Sequence, residues 1–260
     1  MTNIKQLSLN EMNLTANHIA TIPKLLETSA TRKVMVLNLK HNQLGIDGAM
    51  AIAQGLIENT SLRLLDLSQN RLGSKGVMLL CEALKDNQTL SSLFLDTNGI
   101  ASEGAYALSD LLLDKSSQLL ELHLAWNLVC GTGLNSLFTA LALTNRKLKF
   151  LDVSYNFVDI TVIHSLRCMI ERNPALKYLA ISDLYKFNER AVDTICKSLQ
   201  VNQGLKMMDV KSVTEDFFLK VYSTANVGRR ESHIEFRRDE KYLKRRQPIA
   251  AIAPEDYPAA

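Results

Sequence analysis

The sequence predicts an α/β solenoid: one elongated stack of about eight strand–turn–helix units, with a parallel sheet on the inner, concave face and helices on the outer, convex face. Three observations predict it. The stretch Leu62 to Leu72, LRLLDLSQNRL, has the form L-x-x-L-x-L-x-x-N-x-L, and related stretches begin at Ile4, Val34, Leu90, Leu119, Leu148, Leu176 and Leu205. Successive starts lie 30, 28, 28, 29, 29, 28 and 29 residues apart, a period long enough for one strand and one helix per unit. Helix signals recur in register with the strand signals, so every unit carries the same two elements in the same order. Strand-to-helix-to-parallel-strand connections of this kind are right-handed.

Each unit opens on a strand. In the fourth, Leu93 and Leu95 alternate with outward residues, so a period of two sends the leucines to one face. An asparagine follows in Asn42, Asn70, Asn98, Asn127 and Asn156. Its amide both donates and accepts, which suits it to backbone groups left open where the strand ends and the chain turns. Next come small residues such as Ser74-Lys75-Gly76 and Ser102-Glu103-Gly104, read as helix caps with room for close packing. Helical spacing then buries sets such as Val77, Leu80, Cys81 and Leu84. Asn59, Asn87, Asn145, Asn173 and Asn202 end the helices, where a left-handed C-terminal cap is expected.

The pattern weakens at both ends, as the outer units of a stack must. Met12 takes the asparagine position of the first unit, and Pro23 is placed to start or interrupt its helix. Leu184 and Val213 take the asparagine position in the last two. The chain therefore divides into a repeat domain over 1–214, a capping segment over 215–228, and a basic segment with an extended tail over 229–260.

Motifs such as LNLKHNQLG from Leu37 and LDLSQNRLG from Leu65 resemble the ribonuclease-inhibitor-like leucine-rich repeats, with helical units of 28 or 29 residues. The resemblance spans residues 4–215. It implies protein recognition by an intracellular scaffold, in a class that includes actin-regulating and axonemal proteins, a Ran GTPase-activating protein and the sensing domains of innate-immune receptors. The resemblance thus implies a cytoskeletal or ciliary assembly component, with a regulator of a GTPase or other enzyme, or an innate-immune or host-interaction sensor, as alternatives.

Composition narrows the chemistry. The formal charge is +3, yet Arg229 to Arg246 alone holds eight Lys/Arg against four Asp/Glu, +4, which leaves −1 on everything else. The N-terminus, MTNIKQLSLN, lacks the apolar run of a signal peptide, and no stretch reaches the roughly 18 apolar residues of a membrane span. A cytoplasmic protein is expected, with Cys81, Cys130, Cys168 and Cys196 reduced and packed as small hydrophobes.

A partner site is expected on the outward strand positions. Phe150, Tyr178 and Met207 follow one another in one column, Phe94 lies nearer the middle, and Trp126 and Tyr155 sit just past the strand ends. Such aromatics offer large rigid contact areas. Asp66, Asp96, Glu121, Asp152 and Asp209 give the same face an acidic lining. His123 and Asp152 share a column at ion-pair range with Ser154 nearby, but a sheet face provides neither pocket nor oxyanion hole, so a polar pair is expected and not catalysis. No phosphate-binding loop or metal-ligand spacing occurs, so neither a cofactor nor a small-molecule substrate is predicted. The second candidate surface is the basic tail, through Arg229, Arg230, Arg237, Arg238, Lys241, Lys244, Arg245 and Arg246, for an acidic protein surface. Its interspersed carboxylates argue against nucleic acid.

Overall fold

A computed structural model describes residues 4–19, 21–26, 34–182, 187–211, 221–223 and 234–237. Among these residues nine strands run parallel in one open sheet, in chain order: β1 (Gln6–Ser8), β2 (Val36–Asn38), β3 (Leu64–Asp66), β4 (Ser92–Phe94), β5 (Glu121–His123), β6 (Phe150–Asp152), β7 (Tyr178–Ser182), β8 (Met207–Lys211) and β9 (Glu235–Arg237). The helices between them are α1 (Ala16–Ile19), α2 (Ile22–Leu26), α3 (Gly45–Ile57), α4 (Gly73–Leu84), α5 (Ser102–Leu113), α6 (Gly131–Leu143), α7 (Ile163–Arg172) and α8 (Glu189–Val201). Neighbouring strands lie ~4.8 Å apart while packed helices need ~8–10 Å, so the helical side is the longer one and the sheet lies inside the curve.

The strand register is that of the repeat. Leu37, Leu65, Leu93, Leu122, Leu151, Leu179 and Met208 are cross-strand neighbours, and all are fully buried. Leu39, Leu67, Leu95 and Leu124 form a second buried row. Both rows pack against the inner stripes of the helices, among them Val77, Leu80 and Leu84 of α4. Pro23 lies second in α2, and the helical segment of the first unit is divided into the short α1 and α2.

The asparagine column is a buried ladder, as expected. Asn98 Nδ2 donates to the carbonyls of Leu67 (2.9 Å) and Asp96 (3.2 Å), while its Oδ1 accepts from the N–H groups of Asn70 (3.0 Å) and Leu72 (3.3 Å). Each such amide ties its own turn to the preceding one. A second ladder was not foreseen. The asparagines that end the helices do not take the left-handed conformation expected of them; Asn202, for example, has φ −67° and ψ 133°. They work through their side chains instead: Asn87 Nδ2 donates to the carbonyls of Leu56 and Asn59, and its Oδ1 accepts from the amides of Thr89 and Leu90.

The small residues at the helix starts also act differently from expectation. Helices α3 to α6 begin after Leu44, Leu72, Ala101 and Cys130 with no side-chain cap. Ser74 and Ser102 serve the next unit, their hydroxyls accepting from the amides of Ala101 and Cys130. The glycine beside them is set by stacking: a Cβ on Gly133 would lie 2.7 Å from Val129 Cγ1 and 3.0 Å from the Ser102 Cα on the previous helix.

At the C-terminal end, β9 continues the stack with Met207 opposite Glu235 and Met208 opposite Phe236. A ninth strand therefore comes from within the segment read as basic tail. Ile234 before it is fully buried. Within the capping segment, 221–223 is helical and Val221 is buried. Leu184, Val213 and the rest of 215–228 lie outside the described residues.

Candidate functional site

The register puts outward side chains of successive strands side by side. Phe94 is opposite His123, and Phe150 is opposite Tyr178, one column across. The rings join both pairs into one ladder. Phe94 and His123 stack at 4.1 Å between centroids, His123 and Phe150 at 4.4 Å, and Phe150 and Tyr178 at 4.1 Å with planes only 4° apart. The middle step is diagonal, since the direct neighbours are His123 with Asp152 and Glu121 with Phe150. Diagonal neighbours in a sheet are within reach of aromatic side chains.

The ladder covers itself. Phe94 is 8% exposed and His123 7%, while Phe150 and Tyr178 are half-buried. Met207 follows Tyr178 in the column and is half-buried too. His123 does not pair with Asp152 as the shared column suggested: its Nε2 lies 2.8 Å from Glu121 Oε1, on its own strand. The carboxylates are largely taken up by the fold. Asp152, 2% exposed, accepts the Ser154 N–H; Asp96 accepts the Ala125 N–H at 2.7 Å; Asp209 accepts the Tyr178 hydroxyl. Ser154 is fully buried.

A second stack borders the first at the strand ends. Trp126 and Tyr155 lie 4.0 Å apart at 16° between planes. Both have left-handed backbone, φ +59° and +57°, a region that costs a bulky residue about 1 kcal/mol and suits Gly or Asn. The turn imposes it, because His41, Gln69 and Thr97 at the same place in earlier units share it. Trp126 is nevertheless 48% exposed, and so are two residues the sequence reading did not single out, Leu128 at 51% and Phe157 at 57%. The signal was available in the spacing. Each follows its unit's asparagine, where Arg71 and Gly99 stand in the third and fourth units. Thus Gln69, Arg71, Thr97 and Gly99 give way in the fifth and sixth units to Trp126, Leu128, Tyr155 and Phe157.

Of the basic-tail candidates, Arg237 closes β9. Arg229, Arg230, Arg238, Lys244, Arg245 and Arg246 lie outside the described residues. Among the described residues no group of acidic, histidine or cysteine side chains has metal-binding geometry, and no helix is long and apolar enough to cross a membrane.

The four cysteines are free, but Cys130 is not packed as a small hydrophobe; it is exposed, just before α6. Contacts with the Ser102 hydroxyl first, at 2.9 Å, and the Thr132 hydroxyl lower its thiol to about 7. Burial pushes Cys81 up to about 12. Iodoacetamide is expected to label Cys130 first, at a rate climbing through pH 7 and levelling off about two units above it, with Cys81 untouched in the folded chain. Peptide mapping checks this, and labelling of Cys81 at a comparable rate would contradict it.

A family model described as a leucine-rich repeat matches at three consecutive positions, residues 32–53, 58–81 and 86–109. With the nine-strand register and both asparagine ladders, the chain has the leucine-rich repeat fold, and the family model matches its repeats between residues 32 and 109. Among solved structures it is similar to the actin-binding site 2 of leiomodin-1, at 16% identity and a TM-score of 0.51 over 60% of this chain and 88% of that one. The tropomodulin C-terminal domain of Caenorhabditis elegans aligns at 17% identity and 0.49 over 60% and 92%. No curated protein matches in sequence.

Proposed function

We propose that the chain is a non-enzymatic scaffold that holds a protein partner against strands β4 to β7. The ring ladder Phe94–His123–Phe150–Tyr178 forms the floor, with Asp152 and Met207 beside it. Trp126, Leu128, Tyr155 and Phe157 anchor the partner along the rim. The observation that carries this reading is the rim: Trp126, Leu128 and Phe157 are exposed apolar side chains, Trp126 and the half-buried Tyr155 are held at a backbone conformation that disfavours them, and all four stand where neighbouring units have polar residues or glycine. Clustered aromatics at the edge of a covered floor are what a binding hot spot requires.

The partner we propose is cytoskeletal, in the cytoplasm. The leucine-rich repeat fold supports protein recognition, and the leiomodin-1 structure that shares it is an actin-binding site. The basic segment, including Arg229, Arg230, Arg237, Arg238, Lys244, Arg245 and Arg246, is proposed as a tether to a second, acidic protein surface. Co-sedimentation with actin filaments tests the cytoskeletal version. The full chain is expected to pellet with filaments and Trp126→Asn/Tyr155→Asn to stay largely in the supernatant; a wild-type chain that never pellets would sink the actin reading.

A further inference from the structure

A second charged surface lies at the other rim of the sheet, where the strands begin. Lys149, Lys177 and Lys206 occupy the same place in three successive units. The backbone joins them directly: the Lys177 N–H donates to the Lys149 carbonyl at 2.8 Å, and the Lys206 N–H to the Lys177 carbonyl at 2.9 Å. Three ammonium groups thus rise from adjacent strands ~4.8 Å apart. Like charges set directly opposite one another in a sheet are destabilising. Burial, and then the charges of Lys149 and Lys206, lower the pKa of Lys177 below the ordinary lysine value.

Within the described residues the fold does not answer these charges. None of the three is in an ion pair there, and the contact made by Lys177 Nζ is to the Pro174 carbonyl at 3.0 Å. The surroundings add to the charge. Segments 114–117, 143–149, 171–177 and 200–206, which lead into β5 to β8, hold seven Lys/Arg against two Asp/Glu. The corresponding segments 57–63 and 85–91 of the earlier units hold two of each. Part of the basic set is structural: Arg146 caps the end of α6 through the carbonyls of Leu141 and Asn145, and Lys147 bonds those of Lys115 and Ser117. Lys149, Lys177 and Lys206 are left as the outward row.

We infer that the row Lys149–Lys177–Lys206 is a docking site for an acidic protein segment, separate from the aromatic site on the concave face. A protein segment fits better than nucleic acid, because the row is only three lysines long and a peptide can set a few carboxylates against it, whereas a nucleic acid carries a charge on every residue and needs a longer basic track. An extended peptide with carboxylates on alternate residues places its charges ~7 Å apart on one side, within the reach of flexible lysines on neighbouring strands.

The test is fluorescence anisotropy with a labelled decapeptide of alternating Glu and Gly, and with a labelled ten-nucleotide oligothymidylate. The full chain is expected to bind the peptide more tightly than the oligonucleotide. Lys149→Gln/Lys177→Gln/Lys206→Gln is expected to weaken peptide binding about tenfold, and Arg63→Gln/Lys75→Gln/Lys85→Gln, with the same loss of charge elsewhere, to change it little. The lysine-row variant should also melt close to wild type, since relief of the repulsion offsets the loss of the Lys177 contact to the Pro174 carbonyl. Equal weakening by both triple variants, absence of peptide binding, or tighter binding of the oligonucleotide would overturn the inference. So would a melting temperature lower by more than about 5 °C, which would show that the lysines already hold a charged partner within the chain.

Discussion

Replacing Asn98 with leucine is expected to cost about 4 kcal/mol of stability, roughly 8–16 °C in Tm, although the two side chains are close in size. The amide is 1% exposed and joins four backbone groups across two turns: the carbonyls of Leu67 and Asp96 and the amides of Asn70 and Leu72. Leucine would leave the Asn70 and Leu72 amides buried without an acceptor, whereas the carbonyls of Leu67 and Asp96 keep the Asn70 Nδ2 and Gln69 N–H donors. Each unpaired buried polar group costs ~1–3 kcal/mol, so the middle of the range for two amides is about 4 kcal/mol. Aspartate at the same position keeps the acceptor but loses the donor and buries a charge, so it should destabilise as well. Thermal melts of the variants check this; an Asn98→Leu chain that melts within about 2 °C of wild type would show that the ladder is dispensable.

The second large effect is on binding. Trp126→Asn/Tyr155→Asn is expected to weaken partner binding at least ~30-fold, because a hot-spot residue contributes ~2 kcal/mol or more. Stability should barely change. The stack between the two rings is lost, at ~1 kcal/mol, but asparagine tolerates the left-handed conformation that each ring occupies at a cost of about 1 kcal/mol. Binding and stability are thereby separated, which Phe94→Ala could not achieve: Phe94 is buried under its neighbours and its removal would also disturb the floor. Urea denaturation alongside a pull-down reads both quantities. A double variant that retains its partner, or one that loses several kcal/mol, would mean that the rings serve the fold.

The sequence made the repeat readable because periodic leucines and asparagines have only one arrangement that buries them all. Leu93 and Leu95 had to face the helices, and Asn98 had to close the turn. What escaped the reading depends on choices the period does not encode. The partner of His123 is set by its side-chain rotamer, which turns Nε2 to Glu121 and not to the register neighbour Asp152. The ring ladder crosses columns for the same reason, since Phe150 leans diagonally onto His123. Spacing alone places Asp96 and Asp152 on the outward face as part of an acidic lining, yet both accept backbone N–H groups and are buried. β9 was hidden because its stretch, HIEFRRD, offers only Ile234 and Phe236 where other units supply several leucines, among charges that read as a tail. Leu128 and Phe157 were overlooked as loop residues. Comparison down the column, against Arg71 and Gly99, would have found them.

The most direct test of the proposed binding face is site-specific photo-cross-linking. A benzoylphenylalanine probe is introduced at Trp126 on the rim and, in a separate chain, at Tyr106 on α5, an exposed aromatic on the convex side. The probe at position 126 is expected to cross-link the partner, and the probe at position 106 is not. Cross-linking from position 106 without cross-linking from position 126 would contradict the account.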